Sequence, residues 1–473
     1  MKKTFFASLF LFLAHSLHGQ VKSGHEISLT IRGLADSTIY LGYHYGDKQY
    51  IRDTLRLDKS GSGKFSGKEK LDQGIYLIVL PGQTYFEMLM TDDQIFSLTC
   101  SFKDYFNSLS FAGSDDNTAF IEYQRDWMLM QKNAASIGKR IQSNKEKSDS
   151  LKILRQMQTD QEKKMKDYLR SVEEANKGRF LATLVKAMRP IEIPEFVIPA
   201  MTKNPDSVRW IKTNIYYKNH FFDNIDLLDE RLLRTPIMYG KINEFFTNPF
   251  IQAPDSINKE IDRIIKKVEP NYKVFQFVAV YLFNHFRESE IMGHDAVMVK
   301  LADEIYLTSK ADWVSKEFKA DLKKQIDLIR PNLIGVKAEN LIMDSYKGIH
   351  VALHDIEKDF TILIFWEPDC GHCKETVPKL KTYYDGVKGS GIEVFTVCTT
   401  SDKVKWSKFI EDNKLTWING WDPERKSRFD YYYNVQTTPM IYILDRNKKI
   451  IAKKLSVESI GPFLESYRKQ NKL

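Results

Sequence analysis

From His25 to Ala112 apolar and polar residues alternate in short runs. Ile27, Leu29 and Ile31 share one parity, and Ile39, Leu41 and Tyr43 repeat it. Gly61-Ser62-Gly63 and Pro81-Gly82 mark turns, and Tyr76 to Leu80 is a short apolar run. A period of two broken by turn residues predicts short antiparallel strands in a β-sandwich-like domain over residues 20–115. The period then changes. Phe120, Tyr123, Trp127, Met130, Ala134, Ile137 and Ile141 recur every three or four residues, and after a polar stretch from Ser143 to Ser150 the spacing resumes at Leu151, Leu154, Met165, Tyr168 and Val172. This predicts a hairpin of two amphipathic helices over 116–175, with the aromatic and Met stripe as its packing seam. Pro190, Pro194 and Pro199 predict an extended linker at 189–200. Helical spacing returns over 201–331, as in Ile257, Ile261, Ile264, Ile265 and Val268, so 116–331 reads as a central α-helical region.

Over residues 332–473 strands and helices alternate. Thr361 to Trp366 is continuously apolar, the mark of a strand covered on both faces. Ile392 to Cys398 is a second such strand. Helices are expected from Cys370 towards Tyr384, over Lys403–Asn413 and over 458–469, and an antiparallel pair over Met440–Leu444 and Ile450–Leu455. The whole chain is therefore expected to be multi-domain, ending in an α/β domain.

Composition changes the picture in three places. A formal charge of +8 over 473 residues, with acidic and basic residues interleaved, gives no basic patch among aromatics and argues against nucleic-acid binding. Lys2 and Lys3, the apolar run from Phe5 to Ala14, and the polar and small residues up to Gly19 predict a secretory signal peptide over 1–19. That run is too short to span a bilayer. The mature chain is expected to be exported, periplasmic or otherwise extracytoplasmic, and not membrane-spanning. Finally, there are only four cysteines, too few for a disulfide-stapled scaffold, and two of them stand three residues apart.

That pair carries the candidate chemistry. Cys370 would open a helix, where unpaired N–H groups and the helix dipole favour a thiolate. Cys373 follows one turn later on the same face. Cys370 is then the attacking thiol and Cys373 the resolving one, joined reversibly as a redox disulfide. His372 lies between them and adds to the stabilisation of the thiolate, whereas Glu367 and Asp369 oppose it. No His/Glu spacing suggests a metal site: His220, His285 and His294 are read as core or surface residues, and His350 and His354 as solvent-facing. Cys100 and Cys398 stand alone, and a bridge between them is left open.

Phe365-Trp366, Cys370-Gly371-His372-Cys373, Pro378 and Thr437-Thr438-Pro439 together resemble the thioredoxin superfamily, and within it the TlpA/ResA-like exported thiol-disulfide proteins. The resemblance covers about 332–473, with 392–417 similar to the insertion of that group. It implies a thioredoxin-like fold, no cofactor, and protein disulfides or dithiols as substrates, with an unidentified upstream electron donor or acceptor. It also implies a cis Pro439 against the cysteine pair as a catalytic residue beside Cys370, Cys373 and His372, and Trp366, Thr438 and Pro439 as substrate-binding residues. The upstream regions are similar to those fused to such modules in Bacteroidetes-type exported proteins. The chain departs from thioredoxin at Ile364, where thioredoxin has a buried Asp, and at Asp369, where a Trp usually precedes the first cysteine. Cys-Gly-His-Cys is also the tetrapeptide of protein disulfide isomerases. Two other readings are an exported binding protein with an accessory redox domain, and a peroxiredoxin-like antioxidant enzyme. The second is disfavoured because Glu367, not Thr, stands three residues before Cys370.

Overall fold

The structure, a computed structural model, describes residues 24–144, 148–248 and 252–471. The expected signal peptide lies outside the described residues. The chain divides into two compact units, up to Phe245 and from Phe246.

The first unit begins with eight strands: β1 (His25–Arg32), β2 (Thr38–Tyr45), β3 (Lys48–Arg56), β4 (Ser62–Gly67), β5 (Gly74–Val79), β6 (Tyr85–Met90), β7 (Ile95–Ser101) and β8 (Ser110–Ala112). They form two four-stranded sheets, in the orders β4-β1-β7-β8 and β3-β2-β5-β6. All pairings are antiparallel except β1 with β7. Alternation places Ile27, Leu29 and Ile31 of one sheet and Ile39, Leu41 and Ile78 of the other in one shared core. Cys100, on β7, is buried in that core as a free thiol.

The helix Asp115–Ser143 is N-capped by the Ser114 side chain, which accepts from the Asn117 N–H at 3.3 Å. Asn117 in turn pairs with both main-chain groups of Leu89 on β6, accepting at 2.7 Å and donating at 2.9 Å, and so ties the helix to the sheet. Its partner, Ser148–Ala175, lies against it, with Tyr123 and Tyr168 stacked at 6.3 Å. Phe120 and Tyr123 are buried, but Trp127, Met130, Ala134 and Ile137 are only half-buried. Residues 190–199 hold no helix or strand.

The second unit contains the helices Pro254–Val268, Tyr272–Arg287, His294–Leu301 and Lys316–Ile329, followed by β9 (Ile342–Ser345), β10 (His350–Ala352), β11 (Phe360–Trp366), β12 (Ile392–Cys398), β13 (Ile418–Trp421), β14 (Met440–Asp445) and β15 (Ile450–Lys453). The helical segment expected over 201–331 is divided between the two units, and its last four helices belong to the one that carries the C-terminal sheet. The sheet order is β10-β9-β13-β12-β11-β14-β15. β11 is parallel to β12 and antiparallel to β14, and every residue of it is buried. Ile362, Ile364 and Trp366 face one core with Val377, Leu380 and Leu464, while Leu363 and Phe365 face the other with Val397 and Tyr442. Beyond β15 the segment 335–338 continues the ladder: Gly335 donates to the Ile450 carbonyl at 2.8 Å, and Ile450 donates to Val336 at 2.9 Å.

A buried cation joins the helices to this sheet. Lys453 of β15 pairs with Asp295 and donates to the Asn332 carbonyl at 2.8 Å. His294 is a core residue held by Ser289 at 2.8 Å, and burial lowers its pKa. His350 is exposed and pairs with Asp344 at 2.8 Å. His354 is not solvent-facing as expected: it is half-buried, with its ring nitrogen 2.9 Å from the Ala338 carbonyl. Among the described residues no helix is long and apolar enough to cross a membrane, and no group of three or more His, Cys, Asp or Glu could hold a metal.

Candidate active site

β11 ends at Trp366 in the middle of the sheet, and the chain turns through Glu367, Pro368 and Asp369 into the helix Gly371–Val387. Cys370 is the N-cap of that helix, with extended backbone at φ −71° and ψ 125°. Cys370 is partly exposed, whereas Cys373, one turn in, has no exposed surface. The structure brings Thr438 to the same place. Thr438–Pro439 is cis, and the Cys370 thiol donates to the Thr438 carbonyl at 3.2 Å.

The two thiols are driven apart electrostatically. Partial burial pushes the Cys370 pKa up, but the N–H groups of Cys373 and His372 and the side chains of Cys373 and Thr438 outweigh it, and the net shift is downward. No full cap hydrogen bond forms, so the N–H groups act through their field at the helix start. Cys373 goes the other way: burial pushes it up to about 12, against a lowering contribution from the Glu367 N–H. A partly exposed thiol of lowered pKa thus stands beside a buried thiol of raised pKa.

The remaining expected residues fall into place unequally. His372 is exposed on the first helical turn. Thr438 and Pro439 are half-buried, with the Thr438 carbonyl at the Cys370 sulfur. Trp366 is corrected from a substrate-binding to a core residue, because a side chain with no accessible surface cannot touch a substrate; it packs on Phe409 at 4.7 Å. Its burial follows from its place on a central strand covered on both faces. Asp369, expected to oppose the thiolate, is paired with Lys405 at 2.7 Å, which lowers its pKa and offsets its field. Glu367 is half-buried, 3.5 Å from the Thr399 hydroxyl. Cys398, at the end of β12, is a free thiol that burial pushes up to about 12. Cys100 and Cys398 lie in separate cores and are not bridged.

Sequence reasoning missed Lys405, because the salt bridge spans 36 positions and has no local signal. It also missed the part that Arg287 and Asp295 take around Pro439 and β15, since they come from helices read as a separate region.

A dithiol at the start of a helix, reached from a buried central strand and faced by a cis-proline loop, defines a thioredoxin-like redox domain. Residues 334–453 match the AhpC/TSA family model, and the domain they form is a thioredoxin-like domain of that family. A thiol-disulfide oxidoreductase ResA from Geobacillus kaustophilus is 28% identical over 138 residues, which span 28% of this chain and 78% of that protein. Among solved structures, a domain of a possible thiol-disulfide isomerase from Cytophaga hutchinsonii is 37% identical, over 30% of this chain and 96% of that one, with a TM-score of 0.29. A thioredoxin-like protein from Bacteroides caccae is 18% identical over 59% of this chain and 99% of that one, with a TM-score of 0.44.

Proposed function

We propose that this chain is an exported, periplasmic thiol-disulfide oxidoreductase that exchanges disulfides with protein substrates through Cys370 and Cys373. The observation that carries the reading is the asymmetry of the pair: a partly exposed Cys370 with a lowered pKa, beside a buried Cys373 at about 12. The Lys2-Lys3 and Phe5–Ala14 pattern supports export. The two N-terminal sheets that share a core are read as a β-sandwich carried beside the redox domain.

In the reducing direction the Cys370 thiolate attacks one sulfur of a substrate disulfide. The substrate S–S bond breaks, its other sulfur leaves as a thiolate and takes up a proton, and a mixed disulfide forms on Cys370. Cys373 then loses its proton and attacks the Cys370 sulfur, releasing the second substrate thiol and leaving Cys370–Cys373 oxidised by two electrons. Oxidation of a substrate dithiol is the same sequence in reverse. Thr438 offers main-chain groups beside Cys370 to an extended substrate segment. His372 and Pro439 complete the set around the sulfurs.

The experiment is insulin reduction by the full chain with dithiothreitol as donor, together with Cys373→Ser. The wild type should accelerate reduction, and the variant should accumulate a mixed disulfide on Cys370, seen by mass spectrometry. No acceleration and no adduct would reject the reading.

A further inference from the structure

A cavity of about 660 Å³ reaches the Thr437–Pro439 loop. Thr437, Pro439, Thr376 and Ser456 line it from the thioredoxin-like domain, and Phe286, Arg287, Asp295 and Met298 from the helices that precede that domain. The residue between Thr437 and Pro439 is Thr438, whose carbonyl is 3.2 Å from the Cys370 sulfur. The loop that meets the Cys370 sulfur at Thr438 thus also forms part of the cavity wall through Thr437 and Pro439.

The charges that line it do not cancel. Four are cationic, Arg287, Lys379, Lys453 and Lys454, and two are carboxylates, Asp295 and Glu458. Both carboxylates are engaged: Asp295 with the buried Lys453, and Glu458 with Lys379 at 3.0 Å. Lys454 is exposed and makes no ion pair among the described residues. Arg287 pairs with Glu288, a residue outside the lining, at 3.7 Å and lies over the Phe283 ring at 5.7 Å, and its side chain stays 45% exposed. Lys454 is thus the lining cation without an ion pair among the described residues, and Arg287 is the second exposed cation whose partner lies outside the lining. Asn434, Gln436 and Ser456 add polar groups suited to a peptide backbone.

We propose that this cavity binds the acidic stretch of a protein substrate adjoining its cysteine. The inference rests on the oxidoreductase reading and adds to it a substrate class. It assigns the preceding helices a role as one wall of the substrate site, with Arg287 and Lys454 as its specificity-determining residues.

The test uses the full chain and short fluorescein-labelled peptides that carry Ser in place of Cys, flanked either by Asp and Glu or by Lys. Binding is read by fluorescence anisotropy. The acidic peptide should bind about tenfold more tightly than the lysine peptide at low ionic strength, the sum of two exposed charge pairs. Added salt should shrink the difference. Arg287→Glu with Lys454→Glu should abolish or invert the preference, and Lys358→Glu, an equal change of charge at an exposed site outside the cavity, should leave it. Equal binding of the two peptides, or a preference that survives the double reversal, would overturn the proposal. The peptides carry no thiol, so a failed insulin assay and a failed binding assay point to different errors.

Discussion

Alkylation of the reduced, folded chain at pH 7 should fall on Cys370 far ahead of Cys373. With its pKa at about 12, Cys373 is a thiolate in only about one molecule in 100,000 at that pH. Cys370 is held below the ordinary 9.0, so its thiolate fraction exceeds about one in a hundred. The ratio is at least about a thousandfold. A thiolate of higher pKa is the better nucleophile, and with a Brønsted slope of about 0.45 this returns a factor of about 20. A chemical selectivity of at least about 40-fold remains, and the absence of exposed surface on Cys373 raises it. Brief iodoacetamide labelling, acid quench, digestion and mass spectrometry give the rate at each cysteine. Cys100 and Cys398 should stay unlabelled until denaturant is added, since burial pushes them up to about 11 and about 12. Labelling of Cys373 within about fivefold of Cys370 would refute the argument.

Other expectations follow from neighbouring contacts. Lys405→Met leaves the Asp369 carboxylate unpaired beside Cys370, so the pH profile of Cys370 alkylation should move to higher pH; an unmoved profile would deny the coupling. Asp295→Asn strips the partner from a lysine whose side chain is only 6% exposed and should cost about 3 kcal/mol in urea unfolding of the full chain. A loss below about 1 kcal/mol would show that the Asn332 contacts suffice alone. His372→Pro removes an imidazole from the first helical turn and should make the Cys370–Cys373 disulfide harder to reduce. The shift should be within the span from about −180 mV for the isomerase to about −270 mV for thioredoxin, measured against a glutathione buffer. An unchanged or less negative potential would contradict it.

Much of the redox domain was legible in the chain itself. The run Thr361 to Trp366 marked the central strand, and Ile392 to Cys398 matches β12 residue for residue. The helix start at the cysteines and the Thr438–Pro439 loop were readable because each has a local residue signature. β13 was not. Its four residues, Ile418 to Trp421, include Asn and Gly and show no alternation, and Asn419 holds its place by contacts with Thr396, Trp417 and Leu415 that no periodicity records. Trp366 was legible as part of a strand covered on both faces, and its expected place among the substrate-binding residues came from the resemblance and not from that apolar run. The aromatic stripe of the long hairpin named its seam correctly but overstated its burial, since beyond Tyr123 the residues it contributes from the first helix are only half-buried.

The main-chain pairing of segment 335–338 with β15 matters for how such a protein survives its clientele. A catalyst of disulfide exchange keeps company with partly unfolded, strand-prone chains, and an unclaimed row of amides at the end of a sheet invites them to stay. Here the row of Ile450 is already claimed by Gly335 and Val336, and the Lys453 N–H faces the Met292 sulfur at 3.4 Å. A polypeptide that approached this flank would find the amide and carbonyl of Ile450 already taken, so that residue offers it no rung.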